Sequence, residues 1–133
     1  MKVLTLLSCG FLAAFFVGLV LWWTLPTPEG VRAAALTRAA SQLPVGSTKA
    51  QVAALLHRAR ANADFISTKE QLDYTSEVAD NGYTSKDLSG CYVASIFHTS
   101  KALIGDCGTY YAFFFDKKGR FLKFTSQDQC IGL

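Results

Sequence analysis

The chain has 133 residues, half of them hydrophobic, and carries 13 Lys and Arg against 10 Asp and Glu, a formal net charge of +3. Beyond the apolar first 26 residues, 107 residues with a formal charge of +2 remain, which fits one small domain. This balance gives no reason to expect a polyanionic partner, so we expect no nucleic acid.

The N-terminal segment predicts a membrane helix. No charged residue lies between Lys2 and Glu29, and the run Val3–Leu25 would be about 34 Å long as a helix, against a hydrocarbon core of about 30 Å. Its end, WWTLP (22–26), has bulky rings where a signal-peptide cleavage site has small residues, and tryptophans are typical of a membrane surface. We therefore predict an uncleaved signal anchor at residues 1–26, with residues 3–25 in the lipid bilayer.

Two other interpretations of this segment stay open. The sequence LLSC (Leu6 to Cys9) is similar to a bacterial lipoprotein cleavage box, and cleavage just after the tryptophans is the second alternative. The short tail before the helix and the long domain after it favour the usual signal-anchor orientation, in the inner (cytoplasmic) membrane with residues 27–133 in the periplasm. The three cysteines of that domain are compatible with an oxidising compartment.

Two helices are predicted at the start of the exported domain. The alanine-rich stretch Thr27 to Pro44 favours one helix that ends before the proline. Thr48 and Gln51 have the spacing of a capping box, which predicts the start of a second helix. The apolar positions of that helix recur at the spacing of one buried stripe: Val52, Leu55, Leu56 and Ala59.

The stretch Asp64 to Gly90 is polar and poorly patterned. Leu72, Tyr74 and Val78 indicate either a short strand or an irregular loop, and the pattern does not decide between them. The stretch is also rich in acids: Asp64, Glu70, Asp73, Glu77, Asp80 and Asp87. These acids form either a solvated face or an acidic loop that faces a partner, with Asp73, Glu77 and Asp80 as its candidate contacts.

Three strands are predicted in the second half of the chain, at 91–99, 109–115 and 120–126. The tetrad Asp116 to Gly119 predicts a hairpin turn with glycine in the left-handed position. The predicted fold is therefore α+β: an N-terminal transmembrane helix, then two helices packed on a three-stranded antiparallel sheet, with the Val52 stripe as the cover of one sheet face.

Aromatic side chains point to both faces of this sheet, because Phe113, Phe114 and Phe115 are consecutive. If the helices cover one face, the other exposes an aromatic patch, and patches of this kind tend to be interaction sites. Tyr111, Phe113 and Phe115 are therefore candidate residues of a partner surface. The equally weighted alternative is that the Asp64 to Gly90 segment folds over the patch.

A disulfide is predicted between Cys107 and Cys130. If Asp116 pairs with Arg120, Cys107 lies opposite Gln129, and a bulge or a frayed end absorbs the remaining slip of one residue. Cys91 would lie about 30 Å from Cys107 along the sheet, far beyond the roughly 7 Å that a bridge allows, so we expect it to be free and buried. A tighter turn near residue 99 would instead pair Cys91 with Cys107.

The sequence offers no constellation for catalysis. A hydrolase needs a nucleophile, a base and an orienting group, and the chain has only two histidines, His57 and His98. The Cys and His spacings do not match a zinc site, and no glycine-rich phosphate loop is present. We therefore predict no enzyme, and no catalytic, cofactor or metal site.

Short motifs at both ends of the domain resemble the SmpA/OmlA (BamE-like) small envelope proteins. The matching positions are Gly46, Ser47, Thr48 and Val52 at a helix start, then Phe115, Asp116, Gly119 and Leu122 around a hairpin. The resemblance covers about residues 43 to 125. It implies two helices on a three-stranded antiparallel sheet, a layout also found in the repeats of β-lactamase-inhibitor proteins. It also implies a non-enzymatic role in binding other envelope proteins.

These observations together predict a membrane-anchored envelope protein that acts as a non-catalytic protein-binding or scaffold module. Its expected partner is another envelope protein. The alternative is a small inhibitor or immunity-type protein that acts on an exported enzyme or toxin through its acidic segment.

Overall fold

The computed structural model describes residues 2–80, 82–99 and 105–132. Along the described chain the helices are α1 (Lys2–Thr24), α2 (Pro28–Ser41), α3 (Lys49–Arg58) and α4 (Lys69–Val78). The strands are β1 (Asn62–Ile66), β2 (Leu88–Thr99), β3 (Gly105–Asp116) and β4 (Phe121–Gly132). The fold is α+β with an antiparallel sheet, as predicted, but the sheet has four strands rather than three.

The helical stretch Gly10–Ser41, which begins within α1, contains a segment long and apolar enough to cross a membrane, a test of length and composition that a signal sequence near an N-terminus passes as well. The side chains of α1 from residue 10 onward are exposed on all sides, including Trp22 and Trp23 at its end. Only residues 25–27 separate it from α2, so the start of the folded domain lies close to the end of α1.

The starts of α2 and α3 follow from local capping. The Thr27 hydroxyl accepts a hydrogen bond from the Gly30 N–H at 3.0 Å, and Pro28 occupies the first turn, where its missing N–H costs nothing. Thr48 and Gln51 form the predicted capping box, in which the Gln51 side chain accepts from the Thr48 N–H at 2.8 Å.

The sheet has the strand order β1-β2-β3-β4, with each neighbouring pair antiparallel. Strands β2, β3 and β4 have twelve residues each, whereas β1 has five and covers only part of the outer edge of β2. The register shifts by one residue in two places, where Ser89 in β2 and Leu122 in β4 have no opposed partner. Both are β-bulges near the hairpin end of the sheet.

The face of the sheet that packs on α2 and α3 is called face one here. Its core includes Leu36 of α2, Val52 and Leu56 of α3, and Phe113 and Phe115 of β3. The opposite face, called face two, packs on α4 and has a separate core of Leu72, Leu88, Cys91, Ala112 and Phe114. The consecutive phenylalanines therefore contribute to two cores, one on each side of the sheet.

The prediction for the Asp64 to Gly90 segment was wrong about its secondary structure. This segment supplies most of β1 and all of α4, rather than a short strand or an irregular loop around Leu72. The apolar stripe of α4 is short, since Leu72 and Ser76 are its only buried residues. Packing on face two stabilises this helix, and that contact is not visible in the local pattern.

Candidate functional site

The aromatic residues proposed as a partner surface are buried. Tyr111, Phe113 and Phe115 are exposed by 1%, 0% and 0%, because they lie on face one under α2 and α3. The Tyr111 hydroxyl donates to the Ala33 carbonyl oxygen at 2.8 Å and lies 3.1 Å from the Thr37 hydroxyl. Burial raises the pKa of Tyr111. The assignment of these three residues to a docking surface is therefore corrected: they belong to the face-one core, and Tyr111 bonds that core to α2.

The other reading of the aromatic patch agrees with the structure. Phe114 points to face two and is fully buried beneath α4, which the Asp64 to Gly90 segment forms. That cover is incomplete, however. Three large apolar side chains around face two remain exposed, Tyr74 by 69%, Val78 by 52% and Phe97 by 55%.

The acidic residues Asp73 and Glu77 of α4, and Asp80 just after its end, lie around an open hollow of about 640 Å³. Two bases, Lys69 and Lys86, line the same hollow. Asp73 Oδ1 accepts a hydrogen bond from the Ser85 N–H at 2.8 Å. The bonds from Ser85 hold the pKa of Asp73 below its ordinary value, and Lys69 and Lys86 act in the same direction.

The roles of the three acids therefore differ. Asp73 anchors the connection between α4 and β2, whereas Glu77 and Asp80 are exposed. Asp80 follows the end of the helix with a positive φ of 47°. Acidic and basic residues both line the hollow, so its negative electrostatic potential at a bound partner is weaker than the number of acids alone predicts.

The helix-start motif and the hairpin turn meet in space. Gly46, with a φ of +91°, donates its N–H to the Phe121 carbonyl oxygen at 2.8 Å, and the Phe121 N–H donates to the Ser47 carbonyl oxygen at 2.9 Å. Asp116 Oδ1 accepts from the backbone N–H groups of Lys118 and Arg120, and Gly119 has the left-handed φ of +72°. These motif residues, with the fully buried Val52, join the α3 start to the β3–β4 turn.

Cys107 and Cys130 are bonded to each other and lie directly opposite in β3 and β4. The bulge at Leu122 provides the one-residue slip that the predicted pairing required. Cys91 is free, fully buried, and lies opposite Phe114 on face two. Burial raises the pKa of its thiol to about 12.

A further surface, which sequence analysis did not predict, lies along β4. This strand is the last of the sheet, and in the described chain no strand pairs with its outer edge. A hollow of about 320 Å³ adjoins it on face one, between the start of α2 and the polar residues Thr109, Ser126 and Asp128. A hollow of about 590 Å³ adjoins it on face two, where Tyr74, Val78 and Tyr110 meet Thr125 and Gln127.

The described residues contain no group of three or more His, Cys, Asp or Glu side chains placed to hold a metal ion. His57 is exposed at the end of α3, in a shallow basic hollow with Arg58 and Arg60. Comparison of the chain with models of known protein families, with curated proteins and with solved structures finds no match.

Proposed function

We propose that this protein is a membrane-anchored envelope protein whose disulfide-bonded domain binds another protein without catalysing a reaction. The observation that carries the proposal is the direct connection of α1 to the domain. A helix that exposes apolar side chains on all sides is followed within three residues by α2, which is part of the face-one core. A helix of this kind is stable in a bilayer and not in water.

The disulfide supports the exported orientation. Bonds between cysteines persist in oxidising compartments, and the Cys107–Cys130 pair lies in the domain that follows α1. We therefore place α1 in the inner membrane and residues 27–133 in the periplasm. The helix-start and hairpin motifs, which resemble those of SmpA/OmlA (BamE-like) proteins, support an envelope location through likeness alone.

The binding role is supported by the surface of the domain. Tyr74, Val78 and Phe97 expose large apolar groups around one face of the sheet, and exposed apolar groups that gather on one face are typical of protein-binding surfaces. The partner we propose is another envelope protein.

A fusion experiment tests the topology. A reporter enzyme that is active only outside the cytoplasm, joined after Leu133, is expected to be active in a full-length product that fractionates with membranes. Carbonate extraction should leave this product in the membrane pellet. A soluble mature form that starts near residue 26 would contradict the anchor, and an inactive reporter would contradict the orientation.

Crosslinking in intact cells followed by purification tests the binding role. We expect the wild-type chain to capture one or a few envelope proteins in stoichiometric amounts. Absence of any captured protein would contradict the proposal.

A second candidate function is a small inhibitor or immunity-type protein, favoured by the exposed Glu77 and Asp80 beside α4. For this function the captured protein should be a single exported enzyme or toxin. Its capture should be lost in the Glu77→Gln, Asp80→Asn double variant and kept in a Glu29→Gln control. Glu29 is acidic and lies in the first turn of α2, which packs on the opposite face of the sheet from α4.

A further inference from the structure

The open edge of β4 has the features of a site that adds a strand. Edge strands present unpaired backbone groups, and proteins usually block them with prolines, inward-pointing charges or bulges. From Phe124 to Cys130 this strand contains no proline, glycine or lysine, and its bulge at Leu122 lies before that stretch; its one charged residue there is Asp128. The disulfide at its far end holds the strand in register with β3.

The register identifies which backbone groups face the open edge. The Cα atoms of Cys107 and Cys130 lie 4.0 Å apart, the close spacing of an antiparallel pair whose members do not hydrogen-bond each other. Alternation along the ladder gives the same position to Phe124, Ser126 and Asp128. Their N–H and C=O groups therefore point away from β3, towards the place of a fifth strand.

The hollows on the two faces would receive the side chains of that strand. Successive side chains of a strand point to opposite faces, so an added strand places them alternately in the face-one and face-two hollows. Tyr74, Val78 and Tyr110 make the face-two hollow apolar. The face-one hollow contains Asp128, whose Oδ1 accepts a hydrogen bond from the Thr109 hydroxyl at 2.7 Å.

The Asp128 carboxylate indicates the charge of the occupant. Among the described residues, the Asp128 carboxylate accepts a hydrogen bond from the neutral Thr109 hydroxyl and takes part in no ion pair. A Lys or Arg side chain entering the face-one hollow would complement this charge. A second copy of the chain would not, because the face-one residues of another β4 are Phe124, Ser126, Asp128 and Cys130.

We propose that the outer edge of β4 binds an extended segment of a partner protein in which basic and apolar side chains alternate. The backbone of Phe124, Ser126 and Asp128 forms the ladder, Asp128 receives the basic side chains, and the hollow beside Tyr74 and Val78 receives the apolar ones. Strand addition of this kind draws affinity from main-chain hydrogen bonds and specificity from alternate side chains. The inference rests on the proposed protein-binding function and names its surface and the chemistry of its partner.

A random twelve-residue peptide library displayed on phage, panned against the full-length chain in lipid nanodiscs, tests the chemistry of the occupant. We expect enriched peptides with basic and apolar residues in alternation. Enrichment of acidic or helical amphipathic peptides, or of none, would overturn the proposal.

The most strongly enriched peptide, made synthetically, is then used in binding measurements. Ser126→Pro removes an outward N–H and should weaken binding about tenfold, whereas the matched control Ser126→Ala keeps the N–H and should bind within about twofold of wild type. Asp128→Asn should weaken binding and reduce its dependence on salt. Equal binding by Ser126→Pro and wild type would overturn the proposal.

Hydrogen exchange on the wild-type chain gives a readout that needs no variant. The amides of Phe124, Ser126 and Asp128 should exchange quickly in the free chain and become protected when the peptide binds. Those of Thr125 and Gln127, which face β3, should be protected in both states. Protection confined to the amides of α4 would place the peptide elsewhere and overturn the proposal, as would protection of the three β4 amides by self-association without peptide.

The proposal and the function on which it rests fail separately. If Ser126→Pro captures the same envelope partner as the wild type in cell crosslinking, the β4 edge is not the docking site and the binding function stands. If the wild-type chain captures no partner, the binding function itself fails.

Discussion

Removing the Cys107–Cys130 disulfide should destabilise the domain strongly. The two cysteines are 23 residues apart in sequence, so the bond closes a loop that contains the β3–β4 turn and most of both strands. In the chain-entropy account a loop of this length contributes about 3.4 kcal/mol, chiefly by restricting the unfolded chain. For a domain of about 100 residues this free energy corresponds to a fall of about 15 °C in Tm.

The assay is thermal unfolding of the full-length chain in detergent micelles, followed by the near-ultraviolet circular dichroism of its packed aromatic rings. The Cys107→Ala, Cys130→Ala double variant is compared with the wild type, with and without a thiol reductant. We expect the reductant to lower the wild-type Tm by about the same amount as the double substitution. It should leave the double variant unchanged, which is the control for effects on Cys91.

Two results would refute this reasoning. A Tm change below about 3 °C would mean that the unfolded chain keeps enough of the β3–β4 hairpin to be restricted even without the bond. Non-reducing peptide mapping that gives a Cys91–Cys107 peptide, or free thiols at all three of Cys91, Cys107 and Cys130, would show that the pairing itself is wrong. With the predicted pairing, the map contains Cys107 and Cys130 in one crosslinked peptide and Cys91 as a free thiol.

Three further predictions concern the core of face two. Burial raises the pKa of the Cys91 thiol to about 12, so this thiol loses its proton in the unfolded chain before it does so in the folded chain as the pH rises. The free energy of unfolding should therefore fall by up to about 1.4 kcal/mol per pH unit from pH 9 to 12. A Cys91→Ala variant with the same slope would contradict this. Phe114→Ala should lower the free energy of unfolding by about 3–5 kcal/mol in urea titrations, and Phe97→Ala, at an exposed position, by less than half as much; equal losses would contradict the assigned burial. Ser76 has a buried hydroxyl with no hydrogen-bond partner in the described chain, so Ser76→Ala should raise the free energy of unfolding by about 1 kcal/mol, and a loss of stability would indicate that the hydroxyl is satisfied.

The sequence by itself determined the features that depend on near neighbours along the chain. The length and composition of α1, the capping box at Thr48 and the turn at Asp116 and Gly119 each rest on interactions within a few residues. The disulfide was predicted by counting outward from this turn, with Cys91–Cys107 as the alternative. Once the turn is known, the register of a hairpin follows from counting, and one bulge is enough to bring Cys107 opposite Cys130.

The features that connect distant segments were decided only by the tertiary structure. The consecutive phenylalanines show that both faces of the sheet are apolar, but the sequence does not say what covers either face. Helix α4 has too short an apolar stripe to be recognised alone and is stabilised where it packs on face two. The short strand β1 is defined by its pairing with β2.

The candidate docking surface shows the same division. No residue of β4 from Thr125 to Gln129 has a chemistry that distinguishes it in the sequence, and these residues matter because their strand is the last of the sheet. The hollows beside it exist because α2 and α4 cross the two faces and leave the end of the strand uncovered. Strand order and helix placement depend on contacts among residues far apart in the chain, which is why the proposed role of Asp128 depends on the folded domain.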